Sequence, residues 1–154
     1  MAETKPIKRR YDIRPKKSLG QHFLKDYRII HEIIDRAKFK QSDQVLEVGA
    51  GLGALTLPLA GSVHQIVAVE KDSLLTEMLR KRLFREGINN VILLNDDILK
   101  LDFSGIPFHS EKKLKIIGNL PYNISSPFLE KLVENRSPVS RAILMFQLEV
   151  AKRL

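Results

Sequence analysis

The stretch "IIGNLPYNISSPF" (residues 116–128) runs an apolar strand straight into Asn119-Leu120-Pro121-Tyr122. Together these residues supply a side-chain amide, a backbone carbonyl, a residue that stiffens the turn and a phenol. Such a set can hold a flat, hydrogen-bonding ring. Pro121 lacks an N–H and fixes its own backbone angle, so it aims the groups on either side of it. A Pro-Tyr turn after a strand can equally be structural, and the tetrapeptide alone does not choose between the two.

A second set surrounds "VLEVGAGLGALT" (residues 45–56), which places Gly49, Gly51 and Gly53 between a strand and a helix. Glycine serves where a backbone must turn tightly and approach a ligand. The helix start behind it offers free N–H groups to a polar or anionic group. Glu70 ends the next strand, where a carboxylate can accept both hydroxyl hydrogens of a ribose. The pair suggests a cofactor containing adenosine. Gly49-x-Gly51-x-x-Ala54 meets the relaxed dinucleotide fingerprint, which keeps an NAD(P)-dependent oxidoreductase open. The spacing Glu47-x-Gly49-x-Gly51-x-Gly53 resembles the first motif of class I S-adenosylmethionine methyltransferases. On that reading Asp97, in "NDDIL" at the end of the third strand, would accept the adenine amino group and Ile98 would donate its N–H. Leu74 would pack on the ring. A solvated strand end is the plainer account of the two acids.

The opening tetrapeptide resembles the [Asn/Asp]-Pro-Pro-[Tyr/Phe] signature of enzymes that methylate exocyclic amines of nucleobases. The chemistry explains the residue types. An adenine amine is a poor nucleophile because its lone pair is delocalised into the ring. The Asn119 oxygen and the Leu120 carbonyl can each accept one amine hydrogen, drawing the nitrogen toward a pyramidal geometry. Tyr122 offers a π-face for stacking. Positioning and electrostatics suffice, and no strong base is needed.

These residues need elements to hold them. Ile29, Ile30, Ile33, Ile34 and Ala37 recur at helical spacing and predict a helix from Tyr27 to Phe39, with Asp26 as N-cap. "QVLEVG", "HQIVAVE", "NVILLN", "KLKIIGN" and "RAILMFQ" read as five strands. "ALTLPLA" predicts a short helix that Pro58 shortens or kinks. A longer helix runs from about Leu74 to Glu86, capped by Asp72 or Ser73 and closed by Gly87. Ser126-Pro127 reads as N-cap and first residue of a helix between the last two strands. This alternation predicts a doubly wound α/β fold, a mainly parallel sheet with helices on both faces. Ligands then bind at the carboxyl ends of the strands.

Composition limits the chemistry. The 154 residues suit one domain and include no cysteine, which excludes disulfides, thiolate metal sites and cysteine nucleophiles. No apolar run reaches the length of a membrane span. His22, His31, His64 and His109 lack ligand spacing, so no metal is expected. Capping explains Ser125 and Ser126 better than catalysis does. Twenty-six Lys and Arg against eighteen Asp and Glu give +8 and a pI near 9.8, a balance that favours a polyanionic partner. Lys5, Lys8, Arg9, Arg10, Arg14, Lys16 and Lys17 crowd the N-terminus. Residues 1–15 read as a flexible basic arm, with a mitochondrial presequence as the weaker account. Arg80, Lys81, Arg82 and Arg85 read as a solvated helix face that could also meet RNA.

"KKSLGQHFLKD", "VLEVGAGLGALT", "VAVEKD", "DDIL", "GNLPYNISSPF" and "MFQLEVAKRL" resemble, in order, motifs of ribosomal RNA adenine dimethyltransferases of the KsgA type. The resemblance implies a Rossmann-like catalytic domain over residues 16–154. It implies S-adenosylmethionine-dependent N6,N6-dimethylation of a pair of adjacent adenines near the 3′ end of small-subunit ribosomal RNA, with a role in ribosome biogenesis. Gln21, His22, Leu24, Gly49, Gly51, Glu70, Asp97, Ile98 and Asn119 would contact the cofactor. His22 stands where many members have asparagine. Asn119, Leu120, Pro121 and Tyr122 would hold the target base. The family continues with further strands, a base-sandwiching aromatic segment and a helical C-terminal domain, so this stretch is expected to be a catalytic-domain fragment, inactive alone. A monomer acting on the small ribosomal subunit is implied, in the cytoplasm, or in the nucleolus or mitochondrion of a eukaryote. An RNA-binding assembly or transcription factor on the same fold is the alternative.

Overall fold

The computed structural model describes residues 24–108 and 113–153. Five strands form one parallel sheet: β1 (Gln44–Val48), β2 (Gln65–Glu70), β3 (Val91–Asn95), β4 (Leu114–Asn119) and β5 (Val139–Met145). Their order is β3-β2-β1-β4-β5. The chain builds outward from β1 to β3, then crosses back to lay β4 on the other side of β1. The doubly wound expectation is met.

Alternation of side chains along the strands decides the layers. Val45, Ile66, Ala68 and Ile117 point to one face, packing with Ile30, Leu55, Leu59, Leu79 and Leu83. Those partners come from α1 (Tyr27–Ala37), α2 (Thr56–Ala60) with the residue before it, and α3 (Ser73–Arg85). Leu46, Val48, Val67, Val69 and Ile116 point the other way, against Phe128 of α4 (Ser125–Glu134) and Phe103 of a 3-10 turn (Phe103–Gly105). A final short helix, α5, spans Leu148–Ala151. All five residues of β1 are buried, as expected of the central strand of a sheet covered on both faces.

Helix boundaries follow local chemistry. Asp26 caps α1 by accepting the Arg28 N–H at 2.9 Å. The helix stops two residues before the expected Phe39, because Lys38 adopts a left-handed conformation (φ 52°). Arg141, at the start of β5, donates to the Ala37 carbonyl at 2.7 Å and pins that end to the sheet. Asp72 caps α3 through the Leu74 N–H. The expected start of α4 is corrected. Ser126 and Pro127 lie inside its first turn, and the helix begins at Ser125 directly after a 3-10 turn over Tyr122–Ile124. Ser125 Oγ donates to the Pro121 carbonyl at 3.0 Å, so its hydroxyl bonds the turn behind it and caps no N–H. Among the described residues no helix is long and apolar enough to cross a membrane.

β1 and β4 pack tightly at Gly118, which pairs with Val48. A Cβ there would meet the Val48 carbonyl oxygen at 2.9 Å and the Val48 Cβ at 3.1 Å. Neither atom is the end of a flexible chain. Gly118→Ala should therefore cost about 1–3 kcal/mol, the range for overpacking a tight core. A urea midpoint equal to that of the parent would mean that the two strands can part without cost.

Candidate cofactor and base site

The crossing from β3 to β4 opens the sheet's carboxyl edge between β1 and β4, where a doubly wound sheet places its ligand. A cavity of about 740 Å³ lies there. Gly49, Gly51, Glu70, Asp97, Ile98, Asn119 and Pro121 all line it, and so does Leu24. Leu24 and Pro121, far apart in sequence, thus meet at one edge. Gln21 and His22 lie outside the described residues, as does the basic arm.

The glycine loop is shaped by its backbone. Gly49, Gly51 and Gly53 have φ of 74°, 56° and 84°, where side chains with a Cβ are strained. Gly53 is also sterically committed, since a Cβ would come within 2.6 Å of Leu79 Cδ1. Gly49 faces the turn after β4: a Cβ on it would sit 3.5 Å from the Asn119 carbonyl oxygen.

Glu70 behaves differently from the plain reading of it as a ribose acceptor. Its carboxylate is buried and already bonded, accepting the Gly51 N–H through Oε2 and the Asp72 N–H through Oε1, each at 2.8 Å. A carboxylate has lone pairs to spare beyond these two bonds. Glu70 can thus brace the loop and still accept from a ligand. Asp97 is similar, with Oδ1 accepting the Leu99 N–H and Oδ2 the Lys71 ammonium. Ile98 is buried, and its N–H meets no acceptor among the described residues. Leu74 is half-exposed and off the cavity wall. Leu75, one position on, lines it instead, because the Asp72 cap fixes which side of α3 turns inward.

At the second strand end, Leu120 donates its N–H to the Met145 carbonyl at 3.1 Å and buries its side chain. No hydrogen bond among the described residues ends on its own carbonyl. The Pro121 carbonyl is occupied by Ile124 N–H and Ser125 Oγ. Tyr122 is 54% exposed, its ring outside the wall of the cavity.

One acid was read from the sequence only as part of the glycine spacing. Glu47 lines the cavity at 1% exposure, and its Oε2 has no hydrogen-bond partner. Burial pushes its pKa up to about 8. Thr56 favours the ionised form, although its Oγ1 makes no bond of good geometry, and the Glu70 charge adds to the rise. The signal was available, because an acid at the centre of an apolar central strand must be buried. No cluster of side chains able to hold a metal occurs among the described residues.

Comparison with known proteins agrees with this geometry. The family model described as ribosomal RNA adenine dimethylase matches residues 13–154. The chain belongs to the ribosomal RNA adenine dimethylase family. Ribosomal RNA small subunit methyltransferase A of Desulforapulum autotrophicum is 50% identical over 139 residues, covering 90% of this chain and 48% of that protein. The corresponding protein of Syntrophus aciditrophicus is 42% identical, covering 100% and 55%. Among solved structures, a dimethyladenosine transferase from Plasmodium falciparum superposes with a TM-score of 0.74 at 37% identity, over 86% of this chain and 46% of that one. The 23S rRNA methyltransferase ErmE gives 0.73 at 30%, over 85% and 50%. The chain spans about half the length of the curated relatives it matches. The similarity thus extends over nearly all of this chain.

Glu47 gives a pH test of the site. With a folded pKa near 8 against 4.5 for a solvated glutamate, the folded state keeps a proton that the unfolded state has lost. Stability contributed by this group is therefore present at low pH and lost as pH rises through that window. Glu47→Gln should match the parent's melting temperature near pH 5 and exceed it near pH 9. Parity at both would place the carboxyl in a solvated setting.

Proposed function

We propose that the whole protein transfers methyl groups from S-adenosylmethionine to the exocyclic amines of a pair of adjacent adenines near the 3′ end of small-subunit ribosomal RNA. The observation that carries the reading is the nearness of Gly49 to the Asn119 carbonyl, whose oxygen a Cβ on Gly49 would meet at 3.5 Å. It sets the loop of the methyl donor directly against the turn that would hold the accepting amine. When bound, S-adenosylmethionine supplies an electrophilic methyl on a sulfonium.

The residues fit that group. The glycine loop gives the close backbone approach, and Ile98 N–H with the Asp97 carboxylate offers a donor and an acceptor for an adenine edge. The buried, unpartnered oxygen of Glu47 suits a cationic methionine end. The buried carboxylate of Glu70 beside the loop would oppose a pyrophosphate, which weighs against a dinucleotide. At the target side Asn119 and the Leu120 carbonyl accept the amine hydrogens. Tyr122, exposed at the turn, stacks on the base. None of these residues has to take a proton strongly, so the work is orientation of the amine. The excess of positive charge supports an RNA substrate.

Calorimetric titration with S-adenosylmethionine and NAD in parallel tests the cofactor. The first should bind and the second should not. Glu70→Ala should weaken S-adenosylmethionine by roughly tenfold to a hundredfold, as expected when charge-assisted bonds are lost. Unchanged affinity would confine Glu70 to bracing the loop.

Asn119→Ala in the whole protein tests the chemistry. Single-turnover methylation at saturating RNA and cofactor should drop by about a hundredfold to a thousandfold, the usual loss for one preorganised group. RNA affinity should change little. A variant that melts lower but turns over normally would make the tetrapeptide a structural turn.

A further inference from the structure

The last turns of α3 carry an aromatic side chain that folding does not use. Phe84 is 89% exposed and belongs to neither core cluster. The helix end is closed without it. Gly87, at φ 66°, donates its N–H to the Phe84 carbonyl at 3.2 Å, and Ile88 donates to the Leu83 carbonyl at 3.0 Å. Helices that end this way commonly add an apolar contact between the two residues joined by the longer-range bond. Leu83 is buried and Ile88 packs against the same cluster, so these two supply it. The Phe84 ring is left in water.

A single exposed apolar side chain needs no explanation. The setting of this one does. Arg80 and Lys81 stand one turn before it, at the spacings that share its helix face, and Arg85 follows it; all three are exposed. Glu77 pairs with Arg80 at 3.0 Å and with Lys81 at 3.3 Å, so one acid serves two cations. Arg82 and Glu86 pair with each other at 2.8 Å. Arg85 forms no ion pair among the described residues. Positive charge is thus left uncompensated around the ring. The pairs with Glu77 are exposed and hold weakly, so a phosphate can take the acid's place.

The same helix reaches the cavity. Arg82, two residues from Phe84, lines it and donates to the Leu52 carbonyl of the glycine loop at 3.4 Å. One flank of α3 therefore borders the cavity while the other stands in water. An aromatic ring among cations is the pairing that single strands use, with bases stacking on the ring and phosphates meeting the charges. A protein partner fits less well, because the cores of protein interfaces are depleted in charged residues. We propose that the outer face of α3 docks single-stranded RNA, with Phe84 stacking on one unpaired base and Arg80, Lys81 and Arg85 meeting the flanking phosphates. This rests on the reading that the protein acts on RNA, and it adds a contact outside the turn that would hold the target base.

The test measures binding of a labelled single-stranded oligouridine, and in parallel of small-subunit ribosomal RNA, to the whole protein. Phe84→Ala should melt and bind S-adenosylhomocysteine like the parent. It should hold oligouridine roughly fivefold to a hundredfold more weakly, as when one stacked base is lost. Phe84→Trp should keep the affinity, and Phe84→Leu, apolar but without a π-face, should lose it as alanine does. Arg85→Gln should flatten the dependence of log affinity on log salt by about 0.7, the share of one phosphate on a single strand. Parent-like oligouridine binding by Phe84→Ala overturns this proposal and leaves the RNA substrate standing. A parent that binds the ribosomal RNA but no oligouridine does the same, and a parent that binds neither overturns both. A lower melting temperature in Phe84→Ala would mean that the ring packs against the rest of the protein. Parent-like binding by Phe84→Leu would mean a plain apolar contact. Either result overturns the stacking.

Discussion

The rest of the site depends on one buried carboxylate. Glu70 ends β2 and bonds two backbone N–H groups that belong to different elements, Gly51 in the glycine loop and Asp72 at the cap of α3. Its own carbonyl accepts from the Asn95 side chain at 2.9 Å and from the Asp96 N–H at 3.2 Å, which brings in the end of β3. Thr76 Oγ1, within α3, bonds the Asp72 carbonyl beside it. A single residue thus fixes the loop, the helix start and the acidic segment carrying Asp97. A buried carboxylate would be costly alone, and the two N–H donors are what make it tolerable. Those donors would in turn be stranded without it.

What Glu70 fixes on one side of β1, the sheet order brings against β4 on the other. Because the chain crosses back after β3, the end of β4 lies beside the end of β1 and not beside β3. Val48 pairs with Gly118, and the next residues along, Gly49 and Asn119, then face each other. Glycine is required at both positions, for packing at Gly118 and for backbone conformation at Gly49. At Gly118 it admits the Val48 backbone, and at Gly49 it admits a left-handed turn near the Asn119 carbonyl. The separation between the two halves of the site is therefore set by a strand register, which the core beneath it locks.

Much of this was legible in the sequence because the signals were local. Each strand is an apolar run ended by turn-forming or polar residues, and Asp26 and Asp72 cap the helices that follow them. The errors have local causes as well. Ser126-Pro127 satisfies the rule for a helix start, yet a 3-10 turn and the Ser125 hydroxyl had already begun the structure. Leu74 and Leu75 are adjacent apolar residues, and only the geometry of the cap decides which turns inward. The Lys71–Asp97 pair joins positions 26 apart through strand pairing, so no spacing rule could have found it. Glu47 was visible as a letter of the glycine motif, and its burial follows only once β1 is known to be central.

On the proposed function, the turn after β4 explains how a site without a strong base can still be demanding. Leu120 is fixed twice, by its N–H on the Met145 carbonyl and by a side chain buried at 3% exposure, so its free carbonyl has little room to swing. Pro121 is fixed next, its carbonyl held by Ile124 and Ser125 at the start of α4. Phe128 of that helix is fully buried against the sheet. The orientation of one acceptor is thus carried by β5 on one side and by α4 on the other. Such a group need not reorganise when an amine arrives, and preorganised dipoles act through that saving. On that reading the core behind the turn belongs to the chemistry, since a shift in α4 or β5 would move the carbonyl without touching any residue proposed to meet the base.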